Sequence, residues 1–219
     1  MAIQSNFAFT GTLDTNCTYT SNNAQGNTSV VGVYLTTFSG DPTSGVACTD
    51  TNRNTYALET SIFDSSADAW LGIFVAFNIN AGANTVEFTS TIGATSFVFI
   101  AEEPASSGLR AANSVTFSGS SSNPTMPLAG TETGDVVVAL GAQTFNKPGL
   151  TSGNIGTNPA TSLQTDGSLA WEDGVSTGGT INATFTGADL AWDVTGVALK
   201  PAVSPTVPNA YANAIFFDM

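Results

Sequence analysis

Histidine is absent from the 219 residues, and 4 Lys and Arg stand against 17 Asp and Glu, for a formal net charge of -13. Without an imidazole, Ser-His-Asp and Cys-His catalysis and every histidine-containing metal site are excluded. The four cations, Arg53, Arg110, Lys147 and Lys200, are scattered along an acidic chain. That leaves no basic footprint for nucleic acid and makes anionic membrane a poor partner. Charged residues make up only 10% of the chain, against the usual quarter. Solubility therefore rests on abundant Ser, Thr and Asn, a surface suited to close packing against neighbours.

Two cysteines, Cys17 and Cys48, are too few for a disulfide framework or a structural zinc site. Two half-buried thiols are the simpler reading; if paired, they would add about 3–4 kcal/mol by closing their loop. No uninterrupted apolar run reaches membrane-spanning length. The opening MAIQSNFAFTGTL lacks the basic and apolar regions of a signal peptide, so the expectation is a soluble chain made in the host cytoplasm.

What is present is a series of short β-rich runs punctuated by Gly, Asn, Ser, Asp and Pro. Strands are expected over Ile3 to Thr10, Ser29 to Phe38, Thr55 to Phe63, Ala69 to Ile79, Thr85 to Thr91, Thr95 to Ala101, Ser114 to Ser118, Asp135 to Phe145, Ser168 to Glu172, Thr180 to Thr186 and Leu190 to Leu199. Eleven short strands indicate an all-β, antiparallel β-sandwich. A single turn of helix fits only Ala101 to Asn113 and Asn209 to Phe217. Gly119 to Gly130 and Asn146 to Asp166 read as loops. One domain is expected over residues 1–200. Residues 201–219, broken by Pro201, Pro205 and Pro208, read as an extended arm whose apolar tip, Ile215, Phe216 and Phe217, is the candidate partner contact.

Several strands do not alternate. Trp70 to Phe77, Phe97 to Ile100 and Val136 to Leu140 are apolar on both faces, whereas Thr85 to Thr89 and Thr180 to Phe185 alternate. A strand buried on both faces needs a cover, and the expectation is a neighbouring subunit, so a homo-oligomer, with a trimer as the form considered. Each large side chain buried there is worth about 1.5–3 kcal/mol.

Candidate chemistry is sparse. Glu102 and Glu103 are adjacent on a strand and point to opposite faces, so they do not form a glycosidase pair. Asp50 with Asn52, and Asp64 with Asp68, offer oxygen ligands for a structural calcium, without EF-hand spacing; Asx-turns are the simpler reading. Trp70 reads as core. Trp171 and Trp192, each beside acidic residues, are the candidates for glycan stacking. No G-x-S-x-G elbow occurs, and no catalytic residue or cofactor is assigned.

The segment Thr49-Asp50-Thr51-Asn52-Arg53-Asn54-Thr55-Tyr56 resembles the D-x-x-G-N-x-Y turn of a β-sandwich module found in tailed-bacteriophage structural proteins and bacterial surface proteins, with Arg53 where a Gly is common. Ala76 to Val86, Gly134 to Ala139 and Gly196 to Pro201 are similar to its later strands, and the likeness spans roughly residues 30–200. The resemblance implies a jelly-roll-like sandwich with a structural or adhesive role and no shared catalytic residues. Together with the composition it gives the expected function: a virion protein, specifically a capsid decoration (cement) protein on the outer surface of the particle, contacting the major capsid protein or other virion proteins. The alternative is a carbohydrate- or receptor-binding module of a tail fibre or surface protein.

Overall fold

Period-two patterning and frequent turn residues leave no helix to form, and the computed structural model contains only strands and one 3-10 turn at Thr43–Gly45 among the described residues, which are 1–10, 14–36, 40–92, 95–121, 123–143, 150–166, 169–187 and 190–202. The first half holds β1 (Gln4–Thr10), β2 (Thr15–Thr18), β3 (Thr28–Thr36), β4 (Val46–Asp50), β5 (Ala57–Asp64), β6 (Ala69–Ala76), β7 (Thr85–Ser90) and β8 (Thr95–Glu103). The second holds β9 (Ser106–Ser121), β10 (Thr125–Gln143), β11 (Thr151–Ile155), β12 (Asn158–Pro159), β13 (Thr161–Asp166), β14 (Leu169–Thr186) and β15 (Leu190–Pro201).

The first eight strands are wound as a jelly roll. β1 pairs antiparallel with β8, β2 with β7 and β3 with β6, the nested pairing of a long hairpin rolled upon itself. They form a large sheet, β1-β8-β3-β6-β5, and a small one, β2-β7-β4. The turn after Asp50 carries the chain from the small sheet to the large one, where β5 extends the edge beyond β6. The remaining strands form a third sheet, β12-β11-β14-β10-β15-β9, with β13 also paired to β14.

Three sheets explain the two-sided strands and correct the expected subunit cover. The large sheet is the middle layer. One face packs Val31, Val33, Trp70, Phe74, Val98 and Ile100 against Val86 and Phe88 of the small sheet. The other packs Leu71, Ile73, Val75 and Phe99 against Val138, Leu140, Trp171 and Val197 of the third sheet. The third sheet's outer face is covered as well. The β10–β14 ladder changes register between Leu128 and Thr131 and between Thr133 and Val136, at a bend marked by positive φ at Gly130, Gly134, Gly178 and Gly179. Beyond the bend it returns over the sheet, so that Met126, Leu128, Ile181 and Phe185 join Leu150 and Ile155 on Val137, Ala139 and Ala198. Arg110 anchors the bend, with a bidentate pair to Glu132 at 2.8 Å and its Nε 3.1 Å from Asp135. Every strand read as two-sided is therefore covered from within the chain.

Other differences have local causes. Residues 101–113 form the ends of β8 and β9 around Pro104, not a helical turn, because both sides of Pro104 find strand partners. The stretches read as loops contain β11, β12, β13 and parts of β9 and β10; their Thr and Ser residues suit the half-exposed face of a ladder as well as a turn. Cys17 and Cys48 are unpaired and buried. They lie on the two strands flanking β7, opposite Val86 and Phe88, two strand spacings or about 9–10 Å apart, too far to bridge. Burial pushes the Cys17 thiol up to about 12. The arm tip, Ile215, Phe216 and Phe217, and the second expected helical turn lie outside the described residues.

Candidate functional site

The resembling turn is a polar hub. Asp50 ends β4, and its Oδ1 accepts the Asn54 N–H at 2.9 Å. Its Oδ2 accepts from Asn54 Nδ2 at 2.7 Å, Tyr56 Oη at 3.0 Å and Asn84 Nδ2 at 2.9 Å. Tyr56 Oη continues to Ser29 Oγ at 2.9 Å, and Ser29 to Tyr19 Oη at 2.7 Å, so the network ties both jelly-roll sheets together. Arg53 takes φ +59°, the left-handed conformation for which glycine is the usual residue. Each motif residue thus has a structural duty. With its oxygens committed to these donors, Asp50 is a turn organiser, and Asn52 exchanges side-chain and main-chain bonds with Asn80. Asp64 Oδ1 accepts the Ser66 N–H and hydroxyl in an Asx-turn, and Asp68 is exposed at φ +46°. Among the described residues no group of three or more acidic or thiol side chains converges as a metal site.

At the opposite end of the strands, a small cavity of about 60 Å³ opens between Tyr34, Asp64, Ala67, Ala69, Ala142, Gln143, Ala191, Trp192 and Asp193. Burial pushes the Asp193 carboxyl up to about 6, opposed by the Thr116 hydroxyl that donates to it and assisted by the charge of Asp64. The cavity can accept a few waters or one hydrogen-bonding group and is too small to enclose a sugar ring. Trp192 reaches it, but at 7% exposure offers no stacking platform, and Trp171 is fully buried. The expectation of two partly exposed tryptophans is thus corrected. The Trp171 indole stacks on Phe99 at 6.2 Å, and its acidic neighbours are buried with it.

Those neighbours form a feature the sequence did not disclose. Glu103 and Asp173 face each other across the middle and third sheets, both with fully buried side chains, and the Met1 amine lies 3.9 Å from Glu103 and 3.5 Å from Asp173. The Ala2 N–H also donates to Asp173. Burial, together with the Asp173 carboxylate, pushes Glu103 up to about 8 against the pull of the amine. Glu172, on the other face of β14, is raised to about 8 by burial, although it accepts the Gly153 N–H at 3.0 Å. Glu102 points the opposite way, as strand alternation requires. Burial acts to raise it, but donors from Ala24, Gln4, Asn23 and Asn27 outweigh burial and hold it below its usual range. A pairing of Glu103 with an acid 70 positions away carries no local pattern, so only the strand registers reveal it.

Neither known protein families nor curated proteins match the chain.

Proposed function

We propose that this chain is a non-enzymatic structural protein of a bacteriophage virion, a decoration (cement) protein on the outer surface of the capsid that binds the major capsid protein or other virion proteins. The observation that carries the reading is the jelly-roll winding of residues 4–103, with β1 on β8, β2 on β7 and β3 on β6, a winding used by viral capsid and lectin domains. The formal charge of -13 supports an outer position, since a lining protein would face packaged DNA. The apolar sheet faces are covered within the chain, so contacts with the shell fall to strand edges, loops, residues 201–219 and the polar outer face of the small sheet, where Asn16, Thr18, Thr49 and Glu87 are exposed. The reading is tested by labelling intact, nuclease-treated particles with antibodies to this protein; labelling only of disrupted particles would place it inside and overturn the reading.

A glycan- or receptor-binding module is the second reading, favoured by the cavity where Asp193, Asp64 and Trp192 meet, which admits a single hydroxyl of a sugar or a partner side chain rather than a ring. It predicts binding on a glycan array that is lost in Asp193→Asn.

A further inference from the structure

The cavity at the Asp193 end of the strands lies where the middle and third sheets part: Tyr34 of β3, Asp64 of β5 and Ala69 of β6 meet Gln143 of β10 and Asp193 of β15 across it. Buried Ala69, Ala142 and Asp193 line its depth, while exposed Ala67 with half-buried Asp64 and Ala191 marks its mouth. The four alanines leave the space open, and with the rings of Tyr34 and Trp192 they give it largely apolar walls.

Two carboxylates interrupt those walls. Asp193 is only 5% exposed, and its Oδ1 accepts the Thr116 hydroxyl at 2.5 Å. No donor among the described residues meets its Oδ2. Asp64 receives the Ser66 N–H and hydroxyl on Oδ1, and its Oδ2 likewise has no donor among the described residues. No ion pair reaches either acid among these residues, Arg110 being committed to Glu132 and Asp135. A buried carboxylate without a countercharge is costly, and burial, assisted by the charge of Asp64, pushes Asp193 up to about 6.

We propose that this cavity receives the ammonium group of a lysine side chain from a partner protein, paired with Asp193 at depth and Asp64 at the mouth. The alanine and aromatic walls suit the methylene stem, which lysine lays along apolar surface while its charge finds polar partners. A volume of about 60 Å³ holds an ammonium and its adjoining methylene, whereas the guanidinium of arginine is a wider, planar fork. The net charge of -13 draws basic partners toward the surface. The proposal gives the cavity of the second reading a definite occupant, and it stands whether or not the protein decorates a virion.

Titration of the isotope-labelled protein, read at the Trp192 indole N–H, should show saturable binding of n-butylammonium and of acetyl-Gly-Lys-Gly-amide in the millimolar range. Asp193→Asn, and Ala67→Trp at the exposed mouth, should each weaken both ligands about tenfold or more. Binding should also weaken about tenfold from pH 7 to pH 5 as Asp193 takes up a proton; Asp64 and Tyr34 are the titratable groups facing it among the described residues. Lys147 lies outside the described residues, and Lys147→Gln should leave binding unchanged. The absence of saturable binding, or n-butylguanidinium bound as tightly as the amine, would overturn the proposal. Equal binding of n-butanol would return the cavity to a sugar hydroxyl, and binding of the amine without the peptide would make it a site for free amines. Binding seen only in Lys147→Gln would mean that the chain fills its own cavity, and each of these results would likewise overturn the proposal.

Discussion

The indole of Trp171 occupies the space that a side chain on Gly32 would need: a Cβ at position 32 would lie 2.6 Å from the ring. Gly32 sits in β3 between Ile73 and Phe99 of the neighbouring strands, and Trp171 reaches it from β14 of the third sheet. This is the tightest approach described between the jelly roll and the second half of the chain, within the apolar layer that joins them. Gly32→Ala should cost about 1–3 kcal/mol by overpacking, read as a lower midpoint in denaturant. Trp171→Leu is itself destabilising, but in that background Gly32→Ala should cost less, because the ring that the new methyl would meet is gone. Additive effects of the two substitutions would contradict the close approach.

The turn after β4 gives a prediction of opposite sign. Arg53 holds a left-handed backbone that costs a side-chain-bearing residue about 1–2 kcal/mol, partly offset by the greater freedom glycine has when unfolded. Arg53→Gly should therefore stabilise the protein by about 0.5–1 kcal/mol. Asp50→Ala removes the acceptor of Asn54, Tyr56 and Asn84 and should cost about 3 kcal/mol. Chemical denaturation of both variants checks the pair, and a neutral Asp50→Ala would mean that the hub is dispensable.

Stability should fall as pH rises. Glu103 and Glu172 are raised to about 8 and Asp193 to about 6, so between the ordinary carboxyl range and pH 8 the folded state binds more protons than the unfolded one, and the slope of unfolding free energy with pH is negative. Glu102 is lowered and acts in the other direction, its contribution being lost as the solution is acidified through the carboxyl range. Thermal unfolding should thus give a higher midpoint at pH 5 than at pH 8. Glu103→Gln and Glu172→Gln should each flatten the profile. A profile that rises toward pH 8 would show that these carboxylates ionise at no cost in the folded protein.

Strand interiors were legible because period-two runs and Asn/Gly turns are local signals, and the runs without alternation correctly identified β6, β8 and β10 as covered on both faces. Periodicity says that a face is buried, not by what. The cover proved to be β2-β7-β4 on one side and a folded-back ladder on the other, which depend on pairings between distant segments. The acids flanking Trp171 and Trp192, Glu172, Asp173 and Asp193, suggest partial exposure of both indoles, yet those acids are themselves buried. β11 to β13 were hidden because Thr, Ser, Asn and Gly serve short half-exposed strands as readily as loops. Of the candidate site residues, Asp50 was recognisable through its motif, whereas the Glu103–Asp173 pairing and the Asp193 cavity exist only through tertiary register.

Quantitative mass spectrometry of gradient-purified particles tests the central claim most directly. The account predicts this protein in intact particles at a copy number in fixed proportion to the major capsid protein, as expected of a component that covers the shell. Its absence from particles while abundant in the soluble fraction of the same lysate, or a copy number of only a few per particle, would contradict a decorating role.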